Sequence, residues 1–183
     1  AGDLLGAKQH GNINSIGFDM YCQIIREEIE KLKGRKVQPD INVQIELPFS
    51  SYIPKNYIKN ERERVNIYRA LGNLKDQNEA LQIAENLEER YGNMPEVLSN
   101  LVNIARIKQA AKTAQVEQVL YSKTKGVYFR KINLSIEKAP RLSSENPELI
   151  YLPRNREIIV RGTEKNVTLE LVLESLKNLN RYN

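Results

Sequence analysis

With 183 residues, 40% of them hydrophobic and 28% charged, the chain has material for one globular domain plus an appendage, and a fibrous or disordered polymer is excluded. No run approaches the roughly 18 consecutive apolar residues of a membrane span, and residues 1–11 lack the basic and apolar regions of a signal peptide, so a cytoplasmic protein is expected. A formal charge of +5 permits contact with nucleic acid or an acidic protein surface without specifying either.

Residues 1–17 are rich in glycine and polar side chains without a sustained period, and read as a loop or a short broken helix. Phe18, Tyr21, Cys22, Ile25, Ile29 and Leu32 then recur at spacings of three and four up to Gly34, which predicts an amphipathic helix with a glycine at its C-terminal end. Cys22 falls on the apolar stripe and is expected to be a small buried hydrophobe. A polar stretch with Pro39 places a domain boundary near Val37, dividing the chain into residues 1–36 and 37–183.

Val43, Ile45 and Leu47 alternate with Gln44 and Glu46 ahead of Pro48, the period of a strand. Residues 48–60, with Pro54, Tyr57 and Ile58, are expected to be irregular and packed on the segment C-terminal to them. Residues 61–71 predict a helix with Val65, Tyr68 and Leu71 inward. Asp76, with Glu79 three residues later, outlines a capping box for a second helix through Leu81, Ala84 and Leu87 to Tyr91 and Gly92. Pro95 suits the first turn of a third helix, whose stripe is Leu98, Leu101, Ile104, Ala105, the stem of Lys108 and Ala111.

Beyond Ala114 the period changes. Residues 116–121 and 126–132 read as strands joined through residues 123–126, and residues 148–152 and 157–161 as strands joined through residues 153–156, with a proline-bounded loop through Pro140 and Pro147 between the pairs. Leu169, Val172, Leu173, Leu176 and Leu179 form a helical stripe ending at Asn180. Helices, then strands, then a helix predict an α+β fold in which a small antiparallel sheet is covered by helices.

No phosphate-cradling GxxxxGK[ST] pattern is present, nor an Asp-rich Mg2+ motif beside a strand, so no nucleotide-hydrolysing machinery is legible. One histidine, His10, and one cysteine, Cys22, make no zinc site and no neighbouring nucleophile–base pair. No catalytic residue and no metal ligand is assigned. Carboxylates lie among Lys and Arg, as between Glu61 and Arg64, in the pattern of solvated helix faces. Lys123, Lys125, Arg130, Lys131, Lys138 and Arg141, followed by Arg154, Arg156 and Arg161, are expected along one edge of the sheet with Tyr121 and Tyr128 between them. A nucleic-acid-binding edge centred on Arg154 and Arg156 is one reading of that set; a solubilising surface is the other.

The opening AGDLLGAKQHG followed by IGFDMYCQIIREEIEKLKG resembles the segment after the last helicase motif of bacterial transcription-repair coupling factors and RecG-type translocases, where the pattern runs R-G-x-G-x-x-L-G-x-x-Q-S-G. Gly2, Leu5, Gly6, Gln9 and Gly11 match it; the leading Arg-Gly would precede Ala1, and His10 replaces the Ser. The continuation IELPFSSYIPKNYI, RVNIYRAL and LEERYGNMPEVLSNLVNIARIKQAA resembles the C-terminal domain peculiar to the coupling factors. Its most specific pieces are the Arg64 to Tyr68 spacing and the run Glu89-Arg90-Tyr91-Gly92-x-x-Pro95, and the resemblance covers nearly the whole chain.

The resemblance implies that residues 1–36 are the tail of a translocase motor and residues 37–183 a regulatory domain without catalytic activity. In that family the whole protein is an ATP-driven duplex-DNA translocase that displaces stalled RNA polymerase. It recruits the excision-repair protein UvrA through a UvrB-like N-terminal module, and the C-terminal domain folds back on that module and masks the UvrA-binding surface. Carried over, Glu89 and Arg90 match the charged contacts of that interface, with Asn86 one turn earlier where the family can place another acid. Gly2, Gly6, Gln9 and Gly11 are then the remnant of the motif that couples ATP turnover to DNA movement. ATP and Mg2+ belong to the parent protein, no cofactor to this chain, and no membrane partner is implied. The alternative function, read from charge alone, is a basic nucleic-acid-binding module.

Overall fold

The computed structural model describes residues 43–132, 134 and 137–182. The helix expected over residues 18–32, with Cys22, and the boundary near Val37 lie outside the described residues. The elements run β1 (Gln44–Glu46), α1 (Glu61–Gly72), α2 (Gln77–Tyr91), α3 (Glu96–Thr113), β2 (Gln118–Ser122), β3 (Gly126–Arg130), α4 (Ala139–Glu145), β4 (Leu149–Leu152), a 3-10 turn (Pro153–Asn155), β5 (Glu157–Val160) and α5 (Leu169–Asn180).

The helices begin where side chains can accept the free N–H groups of the first turn. Asn60 accepts from the Glu63 N–H at 3.2 Å. Asp76 accepts from Asn78 and Glu79 at 2.8 and 3.0 Å, and Glu79 returns to the Lys75 N–H at 2.8 Å. Thr168 caps α5 by accepting from Leu171 at 3.2 Å. Pro95 stands immediately before α3, with an extended φ of −61° and ψ of 145°, where its missing N–H costs nothing.

The sheet order is β1-β2-β3-β5-β4. The α+β class expected from the sequence is present, but the sheet is mixed: β1 runs parallel to β2, with Ile45 opposite Val119, while the other pairs are antiparallel. Three helices separate β1 from β2, and such a crossover returns the chain in the same direction, whereas a tight hairpin reverses it. The proline-bounded loop also holds more than expected. Pro140 lies in the first turn of α4, where a fixed φ favours helix.

One sheet face carries Ile45, Val119, Val127, Phe129, Ile158, Val160 and Leu149, all nearly inaccessible. Leu98, Leu101, Ile104 and Ile107 of α3 and Val172, Leu176 and Leu179 of α5 join them in one core. Lys108 is buried as well, its apolar stem lying on the α3 stripe. The opposite sheet face is not purely polar: Leu120, Tyr128, Ile159 and Ile150 stand side by side across four strands. Residues 48–60 pack as expected on the helices, with Ile53 and Ile58 buried and the Tyr52 N–H donating to the Val97 carbonyl at 3.2 Å.

Candidate interdomain contact site

Glu89 and Arg90 occupy the last turn of α2, and both are exposed. Leu87 turns into the core and Tyr91 packs against its rim, which leaves the neighbouring Glu88, Glu89 and Arg90 on the outer side. Gly92 stops the helix at a φ of 79°, with its N–H donating to the Glu88 carbonyl at 2.9 Å; that dihedral suits glycine and few other residues. Arg90 sits at the negative end of the helix dipole, where a cation is favoured.

The outer turn is braced from α1 and from the irregular segment before it. Arg90 Nη2 lies 2.5 Å from Glu63 Oε1, and its guanidinium carbon is 5.1 Å from the centre of the Tyr91 ring. The Tyr91 hydroxyl donates to Glu63 Oε2 at 2.5 Å. Tyr57 donates to the Gly92 carbonyl at 2.7 Å, with the Leu87 carbonyl 3.2 Å away, and its ring centre is 5.6 Å from that of Tyr91. The hydrogen bond from Tyr91, reinforced by Arg90, holds the Glu63 carboxyl below its ordinary value. The same bond raises the Tyr91 hydroxyl, and burial, with Glu88 nearby, raises that of Tyr57.

These contacts fix Arg90 without removing it from solvent: 60% of its side chain remains exposed. Glu85, Glu88 and Glu89 are exposed on the same helix, so the α2 end presents several carboxylates and one guanidinium that already has an acidic partner. Asn86 is exposed and donates back to the Gln82 carbonyl at 2.7 Å, a local bond that ties it to its own helix. Gly2, Gly6, Gln9 and Gly11 lie outside the described residues.

The basic set is brought together less fully than the sequence suggests. Tyr121 and Tyr128 do not flank one edge, because Tyr128 pairs with Leu120 and Tyr121 with Val127, so the alternation of the strand sends the two rings to opposite faces. Tyr121 packs on the core, while Lys125 lies over the Tyr128 ring at 5.2 Å. Lys125 and Arg130 both approach Glu157, at 3.0 and 3.7 Å. Lys131 pairs with Glu117 at 3.2 Å, and Arg141 with Glu145 at 2.7 Å. Arg154 is exposed on the 3-10 turn. Arg156 has a left-handed backbone with φ of 48° and spends its Nε on the Ile132 carbonyl at 3.0 Å.

Glu63, Tyr91 and Tyr57 are the site residues that pattern reading overlooks. Tyr57 lies 35 positions from Gly92, and Glu63 28 positions from Tyr91, so no local spacing announces them. Their only sequence signal is the tyrosine immediately before the glycine that ends α2.

The fold is that of an α+β domain, and comparison with known proteins gives the class. A model of the TRCF domain family matches residues 47–138, about half of the chain, and the chain belongs to that family. It is similar to the transcription-repair-coupling factors of Borreliella burgdorferi, at 31% identity over 155 residues covering 80% of this chain, and of Staphylococcus epidermidis, at 32% over 192 residues covering 99%. The chain spans 14% and 16% of the length of those two relatives. A crystal structure of the C-terminal domain of a transcription-repair coupling factor superposes with a TM-score of 0.63 at 17% identity, covering 77% of this chain and 91% of that one; this supports the fold. The chain is therefore homologous to the C-terminal domain of the coupling factors.

Proposed function

We propose that this chain is an autoregulatory interaction domain, which docks through the C-terminal end of α2 onto a UvrB-like module of its own protein and masks the UvrA-binding surface there. What supports this reading is the exposure of Glu89 and Arg90 on one helix end that Glu63, Tyr91 and Tyr57 hold in a fixed geometry. A side chain already oriented by its own domain loses less conformational entropy on docking. Charged pairs give such a contact register and specificity, and an interface of modest area lets the clamp open.

On this reading the longer protein is an ATP-dependent DNA translocase that removes stalled RNA polymerase and recruits excision repair. ATP and Mg2+ would belong to the motor of that protein. Among the described residues no group of three or more His, Cys, Asp or Glu side chains could hold a metal ion, and the chain has no phosphate-cradling motif. No described helix is long and apolar enough to cross a bilayer.

The test is a titration of this chain against a separately produced UvrB-like module. Salt-sensitive binding is expected, weakened by at least about tenfold in the double variant Glu89→Lys, Arg90→Glu. Absence of binding at high protein concentration and low salt would overturn the reading.

A further inference from the structure

The face of α2 that ends at Glu89 begins with a leucine that the core does not use. Leu81 is 44% exposed, and among the described residues only Tyr52, at 37%, is another large hydrophobic side chain left so open. The core is served from elsewhere on the helix, by the buried Ala80 and Leu87 with Ile83, Ala84 and Tyr91 packed beside them. At about 100° per residue, Glu88 and Glu85 flank Leu81 on either side and Glu89 lies just beyond Glu85, so that leucine and acids share one outward sector. All three acids are exposed.

We propose that Leu81 is the apolar anchor of the same docking surface, seated in an apolar socket whose rim on the partner is cationic. The inference rests on the docking reading above and commits to the same occupant, the UvrB-like module. A lone exposed leucine is ordinary on a protein surface. This one shares its sector with Glu85, Glu88 and Glu89, though not with Arg90 on the other side of the helix, and lies roughly 12 Å along the helix axis from Glu89, within the span of a standard interface. Its surroundings select the partner. Glu85, Glu88 and Glu89 give the face a negative sign in a chain whose formal charge is +5, while Arg90 is already engaged by Glu63. A second copy docking by the same face would set these acids against each other, and the phosphates of nucleic acid would meet like charge; a basic rim around an apolar socket meets neither penalty.

The experiment compares four forms of this chain in titration against the UvrB-like module: unchanged, Leu81→Ser, Leu81→Met, and the double variant Glu89→Lys, Arg90→Glu. Because Leu81 is open to solvent, its substitutions should leave the thermal unfolding curve close to that of the parent chain. Leu81→Ser is expected to weaken binding about three- to tenfold, and Leu81→Met to restore most of the loss. If Leu81→Ser binds as the unchanged chain does while the charge-reversed variant is weakened, the anchor is overturned and the docking reading stands. If the unchanged chain fails to bind, both fall together. Self-association of the chain that Leu81→Ser abolishes would make the occupant a second copy, and would likewise overturn the proposal.

Discussion

The Arg64 guanidinium sits over the end of the irregular segment that precedes α1, and Nη1 donates to the carbonyls of Ile58 and Lys59 at 2.8 and 2.9 Å. The residue is only 6% exposed, so truncation leaves both carbonyls with poor access to water. Arg64→Ala is expected to cost about 2–3 kcal/mol in a urea unfolding experiment. Glu63, one position earlier, supports a pH prediction. Its folded-state pKa is lowered, chiefly by the Tyr91 hydrogen bond and then by Arg90, so its contribution is present above the ordinary carboxyl range and is lost as pH falls through the lowered value. The melting temperature of the parent chain should therefore drop more between about pH 6 and about pH 3 than that of Glu63→Gln, whose amide does not titrate. Equal drops would show that the α1–α2 brace contributes no proton-linked stability. Neither role is visible in the run of residues 61–64, which pattern alone assigns to a solvated face; burial of the fourth and bracing by the third depend on what packs beside them.

At the scale of elements, the β2–β3 turn is the most constrained join. Gly126 has a φ of 70°, and a Cβ there would run into the Thr163 hydroxyl and the Glu164 backbone. The same hydroxyl accepts from the Val127 N–H at 2.7 Å and donates to the Val160 carbonyl at 2.6 Å, tying the hairpin to the end of β5. Gly126→Ala should destabilise the domain by more than about 1 kcal/mol, seen as a lower melting temperature, because dihedral strain and steric conflict act together. A neutral result would mean that the turn can shift without disturbing Thr163. Turn chemistry of this kind was readable in advance, as were the caps at Asp76 and Gly92, since each lies within a few residues of the element that it ends. The parallel pairing of β1, the docking of β3 on β5 instead of β4, and the helix inside the proline-bounded loop were not readable. Hydrophobic period states that a segment is a strand, but its neighbour is chosen by connection geometry and by which faces share a core.

For the molecule as a whole, α3 and α5 close the core over the sheet, and Leu176 is fully buried where they meet it. Leu176→Ala is expected to cost about 2–5 kcal/mol in the same unfolding experiment, the range for a leucine whose cavity cannot collapse. A much smaller loss would indicate that α5 is held less tightly than its burial implies. The amino-acid sequence by itself determined the class of fold, the positions of the described helices apart from α4, the apolar stripes that form the core, and the family resemblance, because caps, periods and turn residues act over a few neighbouring positions. The resemblance, carried by a short run that ends in a helix-stopping glycine, also implied Glu89 and Arg90 as candidate contact residues. Only the tertiary structure decided that Glu63 and Tyr91 brace Arg90, that Arg64 is buried, that Tyr121 and Tyr128 part to opposite sheet faces, and that Leu81 lies open beside the acids of α2. Those relations join residues distant in the chain or depend on strand pairing and burial, and they exist once packing has brought the elements together.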